Sequence, residues 1–146
     1  MYKRILGLLL SFAALIVGLI FYINFRSPNT LIHKNLAAIG LLDDLSFPGL
    51  QKMMLPDWLK GSLPDGLWMF SLSFLILSIW NFQWNIITKS WYGMAVAVGM
   101  TYEIFQYFQL VPGRFDFIDI VFIGLGALLP LMFLFQSKLK KVELIK

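Results

Sequence analysis

The chain has no cysteine and a single histidine among its 146 residues. Without cysteine, disulfides, thiolate nucleophiles and thiolate metal sites are excluded, and redox state gives no clue to compartment. His33 has no companion at ligand spacing, so no metal or catalytic role falls to it. Charge is scarce too: Asp, Glu, Lys and Arg make up 14% of the chain, against about 25% in an ordinary soluble domain. No phosphate-binding loop, dinucleotide fingerprint or zinc spacing is present. No cofactor, metal or nucleic-acid partner is therefore expected.

Apolar residues are what the chain has in excess. Hydrophobic residues reach 59% and aromatics 16%, more apolar surface than a soluble fold of this length can bury. This composition points to an all-α integral membrane protein with four transmembrane helices. Ile5 to Phe25 matches the roughly 30 Å hydrocarbon thickness as a helix. No small-x-small cleavage pattern follows it, since Tyr22-Ile23-Asn24-Phe25-Arg26 runs straight into Ser27-Pro28, so an uncleaved anchor is expected. The second span is expected over about 67–82, opened by Ser62-Leu63-Pro64-Asp65 as a capped helix start with an early proline and an acid. The third and fourth are expected over about 91–107 and 115–135, with weaker hydropathy because they carry polar groups.

The basic residues indicate topology. With the N-terminus inside, Lys3, Arg4, Lys89, Lys138, Lys140, Lys141 and Lys146 fall on the cytoplasmic side, against Arg26, Lys34, Lys52, Lys60 and Arg114 outside. The densest clusters flank the two termini, so both are expected in the cytoplasm of a bacterial inner membrane. Residues 26–66 then form an amphipathic outer segment of one or two short helices, with Trp58 at the interface. Trp68, Trp80, Trp84 and Trp91 read as an aromatic belt near span ends. Ser71 and Ser78 share a face of the second span, where bonding back to their own helix is expected.

Ionisable residues inside otherwise apolar helices are costly and mark candidate sites. Glu103 and Gln106 share a face of the third span, and Asp116 and Asp119 share a face of the fourth. The short turn at Val111-Pro112-Gly113-Arg114 makes these spans antiparallel neighbours whose polar faces meet in the outer half of the bundle, with Arg114 able to reach back to Asp116 or Asp119. Three carboxylates and one guanidinium leave an excess of negative charge there, so either an acid keeps its proton or something cationic binds. Asp116 has a second reading as the cap of the fourth helix, and Glu103 with Gln106 as hydrogen-bonding glue between helices. Gly93, Ala95, Ala97 and Gly99, with Gly124 and Gly126, read as close-packing surfaces.

The order Glu103-x-x-Gln106, then Arg114-x-Asp116-x-x-Asp119, then Ile123-Gly124-Leu125-Gly126-Ala127 resembles the VanZ-like membrane proteins, over about the last third of the chain. Upstream the chain departs from that pattern. Family members carry a lysine and a histidine after an aspartate that opens an earlier span, whereas Asp65 is followed by Gly66, Leu67, Trp68 and Met69. The resemblance implies a small bacterial envelope protein linked to glycopeptide resistance. Two classes of function stay open: binding of an envelope component, such as a lipid headgroup or lipid-linked precursor, at an outward-facing polar pocket, or an accessory subunit of a larger membrane assembly. In the first, Glu103, Gln106, Arg114, Asp116 and Asp119 hold the ligand. Hydrolysis or transfer is weaker than both, because no nucleophile–base pair is present.

Overall fold

The computed structural model describes residues 2–28, 30–111 and 113–143, with 135–143 described by backbone alone. Pro112 of the expected turn and Lys146 of the expected cytoplasmic cluster lie outside the described residues. Among the described residues all regular structure is helical: α1 Tyr2–Phe25, α2 Leu31–Ala38, α3 Leu42–Leu45, α4 Pro48–Gln51, α5 Asp57–Ile79, α6 Ile86–Tyr107 and α7 Phe117–Glu143. Three of these, α1, α5 and the first part of α7, are long and apolar enough to cross a membrane. Helix α6 is of similar length, but its polar residues keep it out of that set. Large apolar side chains such as Leu9, Phe12, Ile16, Leu128 and Met132 point outward, as lipid-facing helices require.

The four long helices run in alternating directions. Gly7 lies under Ser78 while Arg26, at the far end of α1, pairs with Asp65, so α1 and α5 are antiparallel. Tyr92 donates its hydroxyl hydrogen to the Ala127 carbonyl and Gly99 faces Ile123, so α6 and α7 are antiparallel. Helix α7 runs parallel to α5, because Gly66 meets Phe122 and the Phe74 ring lies 5.6 Å from that of Phe133. Helix α5 is central. It is the most buried of the long helices, with Ser62, Gly66, Met69 and Ser73 recurring at helical spacing along one inward face.

Small residues set the helix spacing. A Cβ on Gly126 would lie 2.3 Å from the Gly66 carbonyl oxygen and 3.0 Å from the Phe70 nitrogen, so α5 and α7 touch there backbone to backbone. Gly7 accommodates Ser78 and Phe82, and Gly18 accommodates Trp68. Ser11 donates to the Ser71 carbonyl at 2.8 Å and lies 3.2 Å from its hydroxyl. Ser71 therefore bonds across to α1 rather than back into its own helix, because the small side chains let the two backbones approach. Trp68 likewise sits inside α5, 5.2 Å from the Tyr22 ring, rather than at a span end.

The start of α5 and the make-up of the segment before it differ from expectation, and α6 begins at Ile86, ahead of the expected Trp91. Helix α5 begins at Asp57 after Pro56, so Ser62, Pro64 and Asp65 are interior residues and not a helix start. Buried packing of Ser62, Pro64 and Gly66 against neighbouring helices outweighs the helix hydrogen bond that Pro64 cannot donate. The segment between α1 and α5 holds three short helices instead of one or two, since Gly40, at φ 74°, ends α2 and Pro48 opens α4. Asn24 holds this segment down: its amide donates to the Ile20 and Leu45 carbonyls at 2.8 and 3.0 Å, and its oxygen accepts from the Phe47 N–H at 2.7 Å. His33 is buried between Thr30 and the Ile23 carbonyl, at 2.7 and 3.0 Å, which is a structural use of the ring.

Candidate functional site

Each long helix delivers a charged residue to the same end of the bundle. Arg26 follows the end of α1, Asp65 lies in α5, Glu103 near the end of α6 and Asp119 in the first turn of α7. The alternation of helix direction makes this possible: the C-terminal ends of α1 and α6 and the N-terminal ends of α5 and α7 share one side. Glu103 and Asp119 are 4% and 7% exposed, a depth at which polar groups need partners. Arg26 Nη2 pairs with Asp65 Oδ2 at 3.1 Å and donates to the Gly61 carbonyl at 2.9 Å. Its guanidinium carbon also lies 5.8 Å from the centre of the Tyr22 ring.

The carboxylates of Asp65, Glu103 and Asp119 are close enough to interact electrostatically with one another, and Glu103 lies beside the Asp116 backbone. Glu103 Oε2 and Arg26 Nε are buried without a hydrogen-bond partner. No group of three or more His, Asp or Glu side chains among the described residues is arranged to hold a metal ion. The cluster thus joins two buried carboxylates, Glu103 and Asp119, to a part-exposed Arg26–Asp65 pair, with two unfilled hydrogen-bonding positions. Beside it opens a cleft of about 520 Å³, lined by Arg26, Gly61, Arg114, Phe115, Asp116, Phe117 and Asp119.

The residues singled out from sequence separate into three groups. Glu103 and Asp119 enter the charged cluster as its buried members. Asp116 and Arg114 line the cleft, where both are exposed. Asp116 also caps α7, its Oδ1 accepting from the Ile118 N–H at 2.9 Å and its carbonyl from the Asp119 N–H at 3.1 Å. Arg114 makes no ion pair among the described residues; the guanidinium bonded to a carboxylate at this end is that of Arg26. Gln106 folds over the turn instead, its amide packed where a Cβ on Gly113 would be, 2.6 Å away. Gly113 takes φ 140°, which only glycine adopts readily.

Of the small residues, Gly99 and Gly126 lie in helix contacts, with Gly99 against Met69 and Ile123. Gly93 and Gly124 have no atoms within 4 Å of an added Cβ, and Ala97 is exposed. Arg26 and Asp65 were not legible as site residues from sequence. Arg26 reads as a topological charge just past a span, and Asp65 as a helix-start acid. Extending α5 back to Asp57 supplies the missing signal, because Asp65 then falls three residues after Ser62 and four before Met69 on the inward face.

Comparison of the chain with family models, curated proteins and solved structures finds no match.

Proposed function

We propose that this chain is a four-span, VanZ-like protein of the bacterial inner membrane that binds an envelope component, a lipid headgroup or lipid-linked precursor, at an outward-facing polar pocket. The observation that carries this reading is the meeting of Arg26, Asp65, Glu103 and Asp119, from four different helices, beside a cleft that offers guanidinium and carboxylate groups together. Keeping two carboxylates buried beside a part-exposed ion pair is expensive, and sites for polar ligands are where membrane proteins retain such groups. In this reading Arg114 takes a phosphate or carboxylate, and Asp119, flanked by Glu103 in the cluster and Asp116 in the cleft, receives amino or hydroxyl groups. Helix α6 supports four spans by its length and alternating direction. The basic residues near both termini support a cytoplasmic location for each.

The test is native mass spectrometry of the tagged chain in mild detergent, beside Glu103→Gln and Arg114→Ala. A specific envelope lipid should accompany the unsubstituted chain and be lost from both variants while they remain membrane-inserted and monodisperse. Retention of that lipid by both variants, or their disappearance from the membrane, would make the polar cluster structural.

A second reading, an accessory subunit of a larger assembly, has one observation in its favour. Helix α6 buries only Thr88, Tyr92 and Glu103, leaving Gly93 and Ala97 uncovered on a surface suited to another helix. Its mark in the same experiment is a stoichiometric protein partner that Ala97→Leu releases.

A further inference from the structure

An apolar groove of about 250 Å³ runs along α5 and α7, its first residues within one helical turn, measured along the helix axes, of the last residues of the polar cleft. On α5 the cleft ends at Gly61 and the groove begins at Leu63; on α7 the cleft ends at Asp119 and the groove begins at Phe122. Its floor is the bare backbone where Gly66 and Gly126 meet, and its walls include Leu67, Phe70, Leu125 and Leu129. Both helices contribute with the same spacing, three, four and seven residues on from the first, so the groove follows one face of each helix away from the cleft.

The cleft above it carries both signs. Arg26 is committed to Asp65 and the Gly61 carbonyl, whereas Arg114 has no ion pair among the described residues. Asp116 and Asp119 face the same space. An anion alone would meet the two carboxylates, and an amine alone would meet Arg114; a group with a phosphate and an ammonium a few atoms apart matches both. Resting on the reading of the cleft as a ligand site, we propose that the ligand is an aminophospholipid, with its phosphate at Arg114, its ammonium at Asp116 and Asp119, and one acyl chain in the α5–α7 groove.

The experiment measures equilibrium binding of three probes to the purified, delipidated chain in detergent. Dioleoyl phosphatidylethanolamine carries phosphate, amine and chains; dioleoyl phosphatidylglycerol lacks the amine; glycerophosphoethanolamine lacks the chains. The first should bind more than about tenfold tighter than either of the others: tighter than phosphatidylglycerol because that lipid brings no ammonium to the two carboxylates, and tighter than glycerophosphoethanolamine because each buried methylene adds affinity. Leu125→Trp fills the groove from its exposed flank and should weaken phosphatidylethanolamine by more than about tenfold while leaving glycerophosphoethanolamine unchanged. Leu129→Phe serves the same purpose if Leu125→Trp does not elute as a monodisperse species. Arg114→Ala should weaken both amine-bearing probes. Equal binding of phosphatidylglycerol and phosphatidylethanolamine overturns the amine recognition. Glycerophosphoethanolamine binding as tightly as phosphatidylethanolamine, or no effect from filling the groove, overturns the chain's place in it. In those cases a loss in Arg114→Ala still leaves the cleft standing as a site, whereas undiminished binding in Arg114→Ala removes the reading of the cleft itself.

Discussion

Gly124 and Gly126 sit two positions apart on α7 and have opposite surroundings. A methyl on Gly126 would press into the Gly66 carbonyl, at 2.3 Å, and neither backbone has room to yield; a methyl on Gly124 meets nothing within 4 Å. Gly126→Ala should therefore lower thermal stability in detergent by about 1–3 kcal/mol, while Gly124→Ala should leave it unchanged or raise it by roughly 0.5–1 kcal/mol. Equal melting temperatures for the two would refute the backbone contact between α5 and α7. The Arg26–Asp65 pair has a similar internal control. Arg26→Ala leaves a carboxylate in the cluster without its partner and should cost about 2 kcal/mol, whereas Arg26→Ala with Asp65→Asn should regain most of that loss. A double variant no more stable than the single one would show that the pair does not act as a unit.

At the scale of elements, two of the long helices start on a side-chain cap, α6 on Asn85 and α7 on Asp116. Asn85 caps α6, its oxygen accepting from the Thr88 N–H at 2.9 Å and from the Thr88 hydroxyl at 3.0 Å. Asn85→Ala should cost about 1 kcal/mol of stability and Asn85→Asp almost none, which paired thermal melts would decide. Asn24 does comparable work for α3 and α4, joining the end of α1 to Leu45 and Phe47. Asn24→Leu has the volume but none of these bonds, so limited proteolysis should cut between Leu41 and Lys52 sooner than in the unsubstituted chain. An unchanged cleavage rate would mean that the apolar contacts of the short helices suffice to hold them.

For the molecule as a whole, a fourth span requires α6 to cross the membrane. The absence of cysteine makes single introduced thiols clean reporters. Ser90→Cys near the start of α6 and Leu110→Cys beyond its end are both at exposed positions. If α6 spans, a membrane-impermeant maleimide applied to intact cells should label Leu110→Cys and Ser46→Cys and spare Ser90→Cys and Lys3→Cys. Ser90→Cys and Leu110→Cys both spared, or both labelled, would place the two ends of α6 on one side and reduce the spans to three.

Composition and the length of the apolar runs determined that the chain is helical and has the make-up of a membrane protein, because hydrocarbon leaves no alternative to helices that satisfy their own hydrogen bonds in a chain with this patterning. The three-residue spacings of Glu103 with Gln106 and Asp116 with Asp119 marked α6 and the start of α7 as the polar elements, since periodicity alone places such residues on a face. It did not place Gln106 in the cluster, because Gly113 draws that side chain over the turn. Only the tertiary structure decided that α5 is central, that Arg26 and Asp65 complete the charged cluster, and that an apolar groove descends beside the cleft. Each depends on where glycine lets two backbones touch and on residues far apart in the chain becoming neighbours, and a pattern read along one helix at a time carries no record of which other helix packs against it.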